Sequence, residues 1–201
     1  MKKFELTSET KINIFGKKLF RIKALISFGN VEAGETGGWV EKEENVNQSG
    51  DAWVFDNAEV FDNAEVFDNA RVSDNARVFG NAWAFGNARV SDNARVSGNA
   101  RVFDNARVSG NAWVFDNARV SGNARVFDNA DYATIHGFGT QFRTTTFFRC
   151  KDKQVKVSCG CFYGTIPEFR EQVKNTRKGK IAEEYLMIAD LMEKHFAEEA
   201  K

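Results

Sequence analysis

The chain is poor in the residues that build most catalytic and extracellular proteins. Its 201 residues include one Pro, two His and three Cys, and its formal charge is zero. The lone Pro167 leaves everything before it free of the residue that interrupts a backbone ladder. Three Cys do not make a disulfide framework. The spacing of Cys150, Cys159 and Cys161 also lacks the paired Cys-x2-Cys knuckles of a zinc site, so no metal is expected. No apolar run is long enough to cross a membrane. None follows Met1-Lys2-Lys3-Phe4-Glu5 as a secretory leader would require, so the cytoplasm is the expected compartment. A neutral chain lacks a global basic field, which argues against nucleic acid as a partner. There is no phosphate loop and no nucleophile–base pair.

What the chain does have is a strict repeat. Thirteen hexapeptides run from Trp53 to Ala130 without an insertion or deletion: WVFDNA, EVFDNA, EVFDNA, RVSDNA, RVFGNA, WAFGNA, RVSDNA, RVSGNA, RVFDNA, RVSGNA, WVFDNA, RVSGNA, RVFDNA. A fixed internal period decides architecture before any other signal. Ala70-Arg71-Val72-Ser73 alternates apolar and polar residues, the period of a strand with one buried face. Asp74-Asn75 then supplies corner chemistry, with Asn expected to tolerate a left-handed conformation. Six residues make one side of a coil, and three sides make a triangular parallel β-helix with 18 residues per turn. Each strand then pairs with the one 18 residues on, about 4.8 Å away. Val at the second hexad position, replaced once by Ala84, and Ala at the sixth define the inside. The Asn column, Asn57 to Asn129, is expected to form amide ladders.

Val72-Ser73-Asp74-Asn75-Ala76-Arg77 resembles the hexapeptide-repeat, left-handed β-helix family. The resemblance covers 78 of the 201 residues and implies the left hand, against general crossover statistics. Ala33-Gly34 and Gly37-Gly38-Trp39-Val40-Glu41 look like the N-terminal cap of such proteins from bacterial and phage genomes, some labelled "putative transferase". Family acyltransferases use a His general base and coenzyme A thioester. By that analogy His136 is the candidate catalytic residue, coenzyme A the candidate cofactor and a homotrimer the expected assembly. Inserted loops usually build that family's pockets, and this repeat has none, so a non-enzymatic protein is the favoured expectation and no cofactor is assigned.

The expected organisation is an N-terminal β cap over 1–46, a left-handed β-helix over 47–136, terminal strands over 137–164 and a helical segment over 165–201. The terminal strands include a hairpin around Lys151–Gln154. Thr165, Pro167 and Glu168 form a helix-start signal. Ile181, Tyr185, Ile188, Met192 and Phe196 recur at helical spacing on a second helix over roughly 180–198. That helix is expected to cover the open end of the coil or to pack in an oligomer.

Sorting hexads by three separates the outer faces. The first carries Arg71, Arg89, Arg107 and Arg125 one coil apart, beside Ser73, Ser91 and Ser109. Such a row suits an anion, because guanidinium forks match phosphate and carboxylate. The other two faces carry Phe61, Phe79, Trp113 and Phe115, and Phe67, Trp83, Phe85 and Phe103. These read as surfaces buried against another chain or against the terminal segments. The expected function is a trimeric binding or scaffold protein, phage-encoded, that sequesters a host protein or a nucleotide-like anion.

Overall fold

The computed structural model describes residues 2–197. Among these residues, three strands precede the repeat: β1 (Phe4–Ile12), β2 (Lys18–Ala24) and β3 (Thr36–Val40). Thirteen two-residue strands follow at six-residue intervals, from β4 (Trp53–Val54) to β16 (Arg125–Val126). The chain then forms β17 (Tyr132–Phe138), β18 (Arg143–Arg149), β19 (Val155–Cys159) and β20 (Phe162–Thr165). Two helices close it, α1 (Ile166–Thr176) and α2 (Gly179–Phe196). No helix among the described residues is long and apolar enough to cross a membrane.

The repeat folds as a parallel β-solenoid of about five turns, with its short strands in three sheets. Register is 18 residues throughout: Arg71 pairs with Arg89, Arg95 with Trp113, and Arg101 with Arg119. Stiff, β-branched Val and small Ala fill the interior. Every second-position residue from Val54 to Val126, and every sixth-position Ala from Ala58 to Ala124, is fully buried.

The backbone bonds of one hexad show why the other positions are restricted. The N–H groups of positions one, three and five donate to the next coil, as Trp53 does to Ala70, Phe55 to Val72 and Asn57 to Asp74. The sixth N–H closes the corner, Ala58 donating to the Phe55 carbonyl. The fourth N–H turns to a side chain: Asp74 N–H donates to Asp56 Oδ2, Asp92 N–H to Asp74 Oδ2 and Gly110 N–H to Asp92 Oδ2. A fourth-position Asp is therefore an acceptor for the coil above it.

The left-handed residue is this fourth one, and here the structure corrects the expectation for Asn. Asp56, Asp62, Asp68, Asp74, Asp92, Asp104 and Asp116 have φ of 53–60°, and Gly80, Gly86, Gly98, Gly110 and Gly122 have φ of 61–71°. Gly adopts positive φ freely, and Asp and Asn do so more readily than other residues; only Gly and Asp occupy this column. Asn is freed for the amide ladders: Asn63 donates to Asn81 at 3.2 Å, Asn81 to Asn99 at 3.3 Å and Asn99 to Asn117 at 3.2 Å.

The N-terminal strands continue the solenoid. β1 pairs antiparallel with β2, β2 with β3, and β3 runs parallel to Glu59–Val60 on the second face. Trp53 is fully buried beneath this cap, edge-on to Phe4 and Phe28. Its indole lies so close to Gly37 that a side chain there would overlap it. β1 and β2 are joined by a turn over 13–17, closed by the Gly16 N–H donating to the Asn13 carbonyl at 3.0 Å.

The far end differs from expectation. Ala130 is exposed, in a short 3-10 turn over Asn129–Asp131, so the interior column stops at Ala124 and Val126. Residues 131–136, expected as a last hexad, leave the coil: β17 pairs antiparallel with β18. The four-stranded sheet β17–β20 itself plugs the open coil. Phe148, Cys150 and Tyr132 pack into the solenoid core, while Phe147 and Val157 face α1 and α2. The exposed strand edge is satisfied piecemeal. Arg119 N–H donates to Thr146 Oγ1 at 3.0 Å, Trp113 N–H donates to Asn129 Oδ1 at 2.8 Å, and the Tyr132 hydroxyl donates to the Trp113 carbonyl. The helices thus cover the sheet, not the coil. The helix-start signal is realised: Thr165 and Glu168 form a capping box with Pro167 in the first turn. The end expected for the second helix, residue 198, lies outside the described residues.

Candidate functional site

The first face is a five-stranded sheet that aligns Arg71, Arg89, Arg107 and Arg125 in direct register. Position one of each hexad points outward because position two is buried, so stacking hexads stacks the guanidinium groups without any loop. A groove of about 440 Å³ runs along one side of the row. It brings together Arg71, Ser73, Arg89, Ser91, Arg107 and Ser109. Phe55 and Asp56 lie at its N-terminal end with Asn30 of the cap, and Phe127 at the other, 54% exposed. On the opposite side of the row, Asn87, Asn105 and Asn123 line a second depression of about 350 Å³ with Arg125 and Lys151.

The electrostatics of the row are unbalanced. Among the described residues, none of the four Arg forms a salt bridge. The carboxylates that follow this face are already engaged, Asp56, Asp74 and Asp92 each accepting a backbone N–H. No group of three or more His, Cys, Asp or Glu placed to hold a metal occurs among the described residues. Arg125 differs from the other three. Its Nη1 donates to the Ala124 carbonyl at 2.7 Å and the Asn105 carbonyl at 3.2 Å. Burial, then the like charges of Arg107 and Arg89, pull its pKa below the ordinary guanidinium value. Arg125 terminates the row; Arg71, Arg89 and Arg107 carry its free charge.

The aromatic residues divide. Phe61 is only 1% exposed, covered by Leu19 and Trp39 of the cap, with Phe15 at 5.5 Å between ring centroids. It is therefore unavailable as an interface with another chain. Phe79 stacks on Phe61 at 5.1 Å and also contacts Phe15. Trp113 and Phe115, at the other end of the second face, are each 42% exposed. On the third face Phe67, Phe85 and Phe103 form a continuous stack at 4.8 and 5.0 Å. Trp83 beside them packs under Arg101, whose guanidinium carbon lies 4.4 Å from the ring centroid.

His136 is exposed on β17. Its Nδ1 lies 3.1 Å from Thr144 Oγ1, so the partner is a hydroxyl rather than an orienting carboxylate. Cys150 is buried, Cys159 half-buried and Cys161 exposed, and all three are free. Burial pushes the Cys150 thiol up to about 11.

The sequence pattern located the Arg and Ser columns but not the ends of the groove. Phe55 and Phe127 carried a signal, since they are the two Phe that interrupt the Ser column of the first face. Asn30 and Lys151 carried none, because chain segments outside the repeat bring them in.

Comparison with known families agrees with this architecture. A family model described as YdcK Beta solenoid repeat matches residues 70–84, 85–98, 88–102, 94–105, 100–116 and 118–130. These segments contain the whole Arg row and lie within the coil; the match is to a β-solenoid repeat and specifies no chemistry. A comparison with curated proteins gave no match.

Proposed function

We propose that this chain is a non-enzymatic binding protein whose first face holds an elongated anionic ligand, nucleotide-like in charge and size. The observation that carries this reading is the row Arg71–Arg89–Arg107, stacked in register with no carboxylate within salt-bridge range among the described residues. Like charges held at strand spacing repel, and an anion laid along the row relieves the repulsion. Guanidinium groups offer paired N–H donors to phosphate or carboxylate, and the Ser91 and Ser109 hydroxyls alongside add neutral donors, whereas Ser73 donates to Asp74 Oδ2 at 2.7 Å. Phe55 and Phe127 at the groove ends offer apolar surface to a ring or a hydrocarbon portion of the ligand. The groove volume, about 440 Å³, is within the range of small-molecule sites.

Self-association belongs to the same proposal. Trp113, Phe115 and the Phe67–Phe85–Phe103 stack form the aromatic surface that the N-terminal cap leaves uncovered. A homotrimer would bury it, and sedimentation equilibrium decides the point, a monomer excluding it. A bacteriophage context, in which the ligand is a host signal to be sequestered, follows only from the resemblance of the cap.

Native mass spectrometry of gently purified protein tests the binding function. The expected result is a co-purifying anionic mass that disappears in the Arg89→Glu/Arg107→Glu variant and survives His136→Ala. Equal retention of that mass by the double Glu variant overturns the first-face reading. Loss of an acyl-transfer activity in His136→Ala would instead establish the coenzyme A-dependent alternative.

A further inference from the structure

We propose a second, separate anion site on the third face, where the coil meets the β17–β18 hairpin, and that it takes the phosphate end of a small phosphorylated molecule. A groove of about 440 Å³ opens there. The coil contributes Arg101 and Arg119, β17 contributes His136, and β18 contributes Arg143 and Thr144. No Asp or Glu lines this groove, and none of its residues belongs to the first-face row.

Each cation is positioned by a contact that leaves its charge intact. Arg101 is held over the Trp83 ring at 4.4 Å and Arg119 over the Phe103 ring at 5.4 Å. A guanidinium stacked on an aromatic face keeps its N–H edges available to a second partner. Arg143 donates to the Gln141 side-chain oxygen at 2.6 Å, a neutral acceptor. His136 faces the Thr144 hydroxyl through Nδ1, which leaves Nε2 for a ligand. Among the described residues none of these groups has an acidic partner within salt-bridge range. Converging charges of one sign in a concave surface focus the potential and favour a compact anion of multiple charge over a monovalent one. Phe142 at the rim adds a second mark. It is 64% exposed and holds φ at 48°, a conformation that bulky side chains seldom adopt. Backbone strain of this kind concentrates at ligand clamps.

Because the first face has its own Arg row, the test uses the Arg89→Gln/Arg107→Gln protein as background, so that either site can fail without the other. Isothermal titration with inorganic pyrophosphate at low ionic strength should show one binding event in this background. Arg143→Gln should weaken that event about tenfold, the order expected for one charge-assisted hydrogen-bond donor pair. Arg143 is exposed, so its replacement leaves the fold intact; Arg101→Gln, which also unstacks Trp83, is paired with circular dichroism. The chain has two His, so imidazole NMR gives an independent readout: His136 resonances should move with pyrophosphate while those of His195 on α2 stay fixed. Absence of binding in the double-Gln background, affinity unchanged by Arg143→Gln, or a static His136 signal each overturns the proposal.

Discussion

Asp92 is the position where the corner logic of this solenoid can be measured. Its φ is 58°, and its Oδ2 accepts the Gly110 N–H at 2.9 Å. Its own N–H donates to Asp74 Oδ2 and is indifferent to the side chain at 92. Asp92→Ala removes the acceptor, which costs about 1 kcal/mol for an exposed corner where water can replace the lost partner. It also places Ala, which tolerates positive φ less well than Asp, at that backbone, for about 1 kcal/mol more. The expected loss is about 2 kcal/mol, a fall in Tm of about 4–8 °C for a chain of this size.

Asp92→Gly loses the same acceptor but relieves the backbone, and flexible Gly costs back part of that gain through the unfolded state, leaving a net loss of about 0.5 kcal/mol. Near-equality of Asp and Gly is what the native column suggests, since it uses both residues. Thermal melts and urea midpoints of the wild type and both variants check the ordering Asp, then Gly, then Ala. An Ala variant as stable as the Gly variant would refute the positive-φ argument, and a Gly variant as unstable as Ala would show that the hydrogen bond alone sets the column.

Three further outcomes follow from the ends of the coil. Phe148 is fully buried in the solenoid core, so Phe148→Ala should cost about 3–5 kcal/mol, with amide exchange rising first in the hexads next to the β17–β20 plug; uniform protection would contradict the plug. Lys3 is buried with Nζ 2.9 Å from the Ala52 carbonyl, and burial lowers its pKa to about 8 from 10.5, partly opposed by Asp51. The unfolded chain therefore binds this proton more tightly. Its contribution to stability rises by about 3 kcal/mol as pH climbs from about 8 to about 10.5 and is lost as pH falls through 8. Lys3→Met should remove that slope relative to wild type in urea midpoints taken at about pH 7.5 and about pH 9.5, and parallel profiles would count against it. Native alkylation mapped by mass spectrometry should modify exposed Cys161 and spare Cys150, whose thiol is buried and raised to about 11; equal labelling would contradict the plug from the other side.

The coil was legible because its determinants are local. Val and Ala at fixed positions specify an inside, and a strict period specifies the neighbour of each strand. The corner was misread by one residue, since Asn and Asp both tolerate positive φ and composition alone does not separate them. The deciding fact is the 18-residue offset between Asp92 Oδ2 and the Gly110 N–H. The plug was misassigned for a different reason. β18 alternates Thr146 and Phe148 toward the coil with Phe147 toward the helices, so both faces of this strand are apolar or satisfied. A two-sided strand gives no periodic sign of which neighbour each face meets. Burial of a Phe face against a terminal segment was one of the two expected outcomes, but that Phe61 is the residue covered depends on β2 and β3 returning across the second face.

Within a hexad, four of six positions are committed to the fold. The second and sixth fill the interior, the fourth must accept positive φ, and the fifth supplies the amide ladder. Only positions one and three can vary without disturbing the coil, and they are where Trp, Glu and Arg, and Phe and Ser, are distributed. Any binding specificity of a loop-free solenoid must be written in those two columns or at the joints with its caps. The two arginine clusters fall in those two places: Arg71, Arg89 and Arg107 occupy position one of a single face, and Arg101, Arg119 and Arg143 meet where position one of another face adjoins the terminal sheet. In both, the acidic residues close in sequence are corner Asp whose oxygens accept backbone N–H groups, as Asp92 and Asp104 do. The corner carboxylates serve as backbone acceptors, and among the described residues none of them lies within salt-bridge range of the arginines of these two clusters, whereas Arg77 of the second face pairs with Glu59; an anion-binding surface can thus arise from the repeat without a dedicated loop.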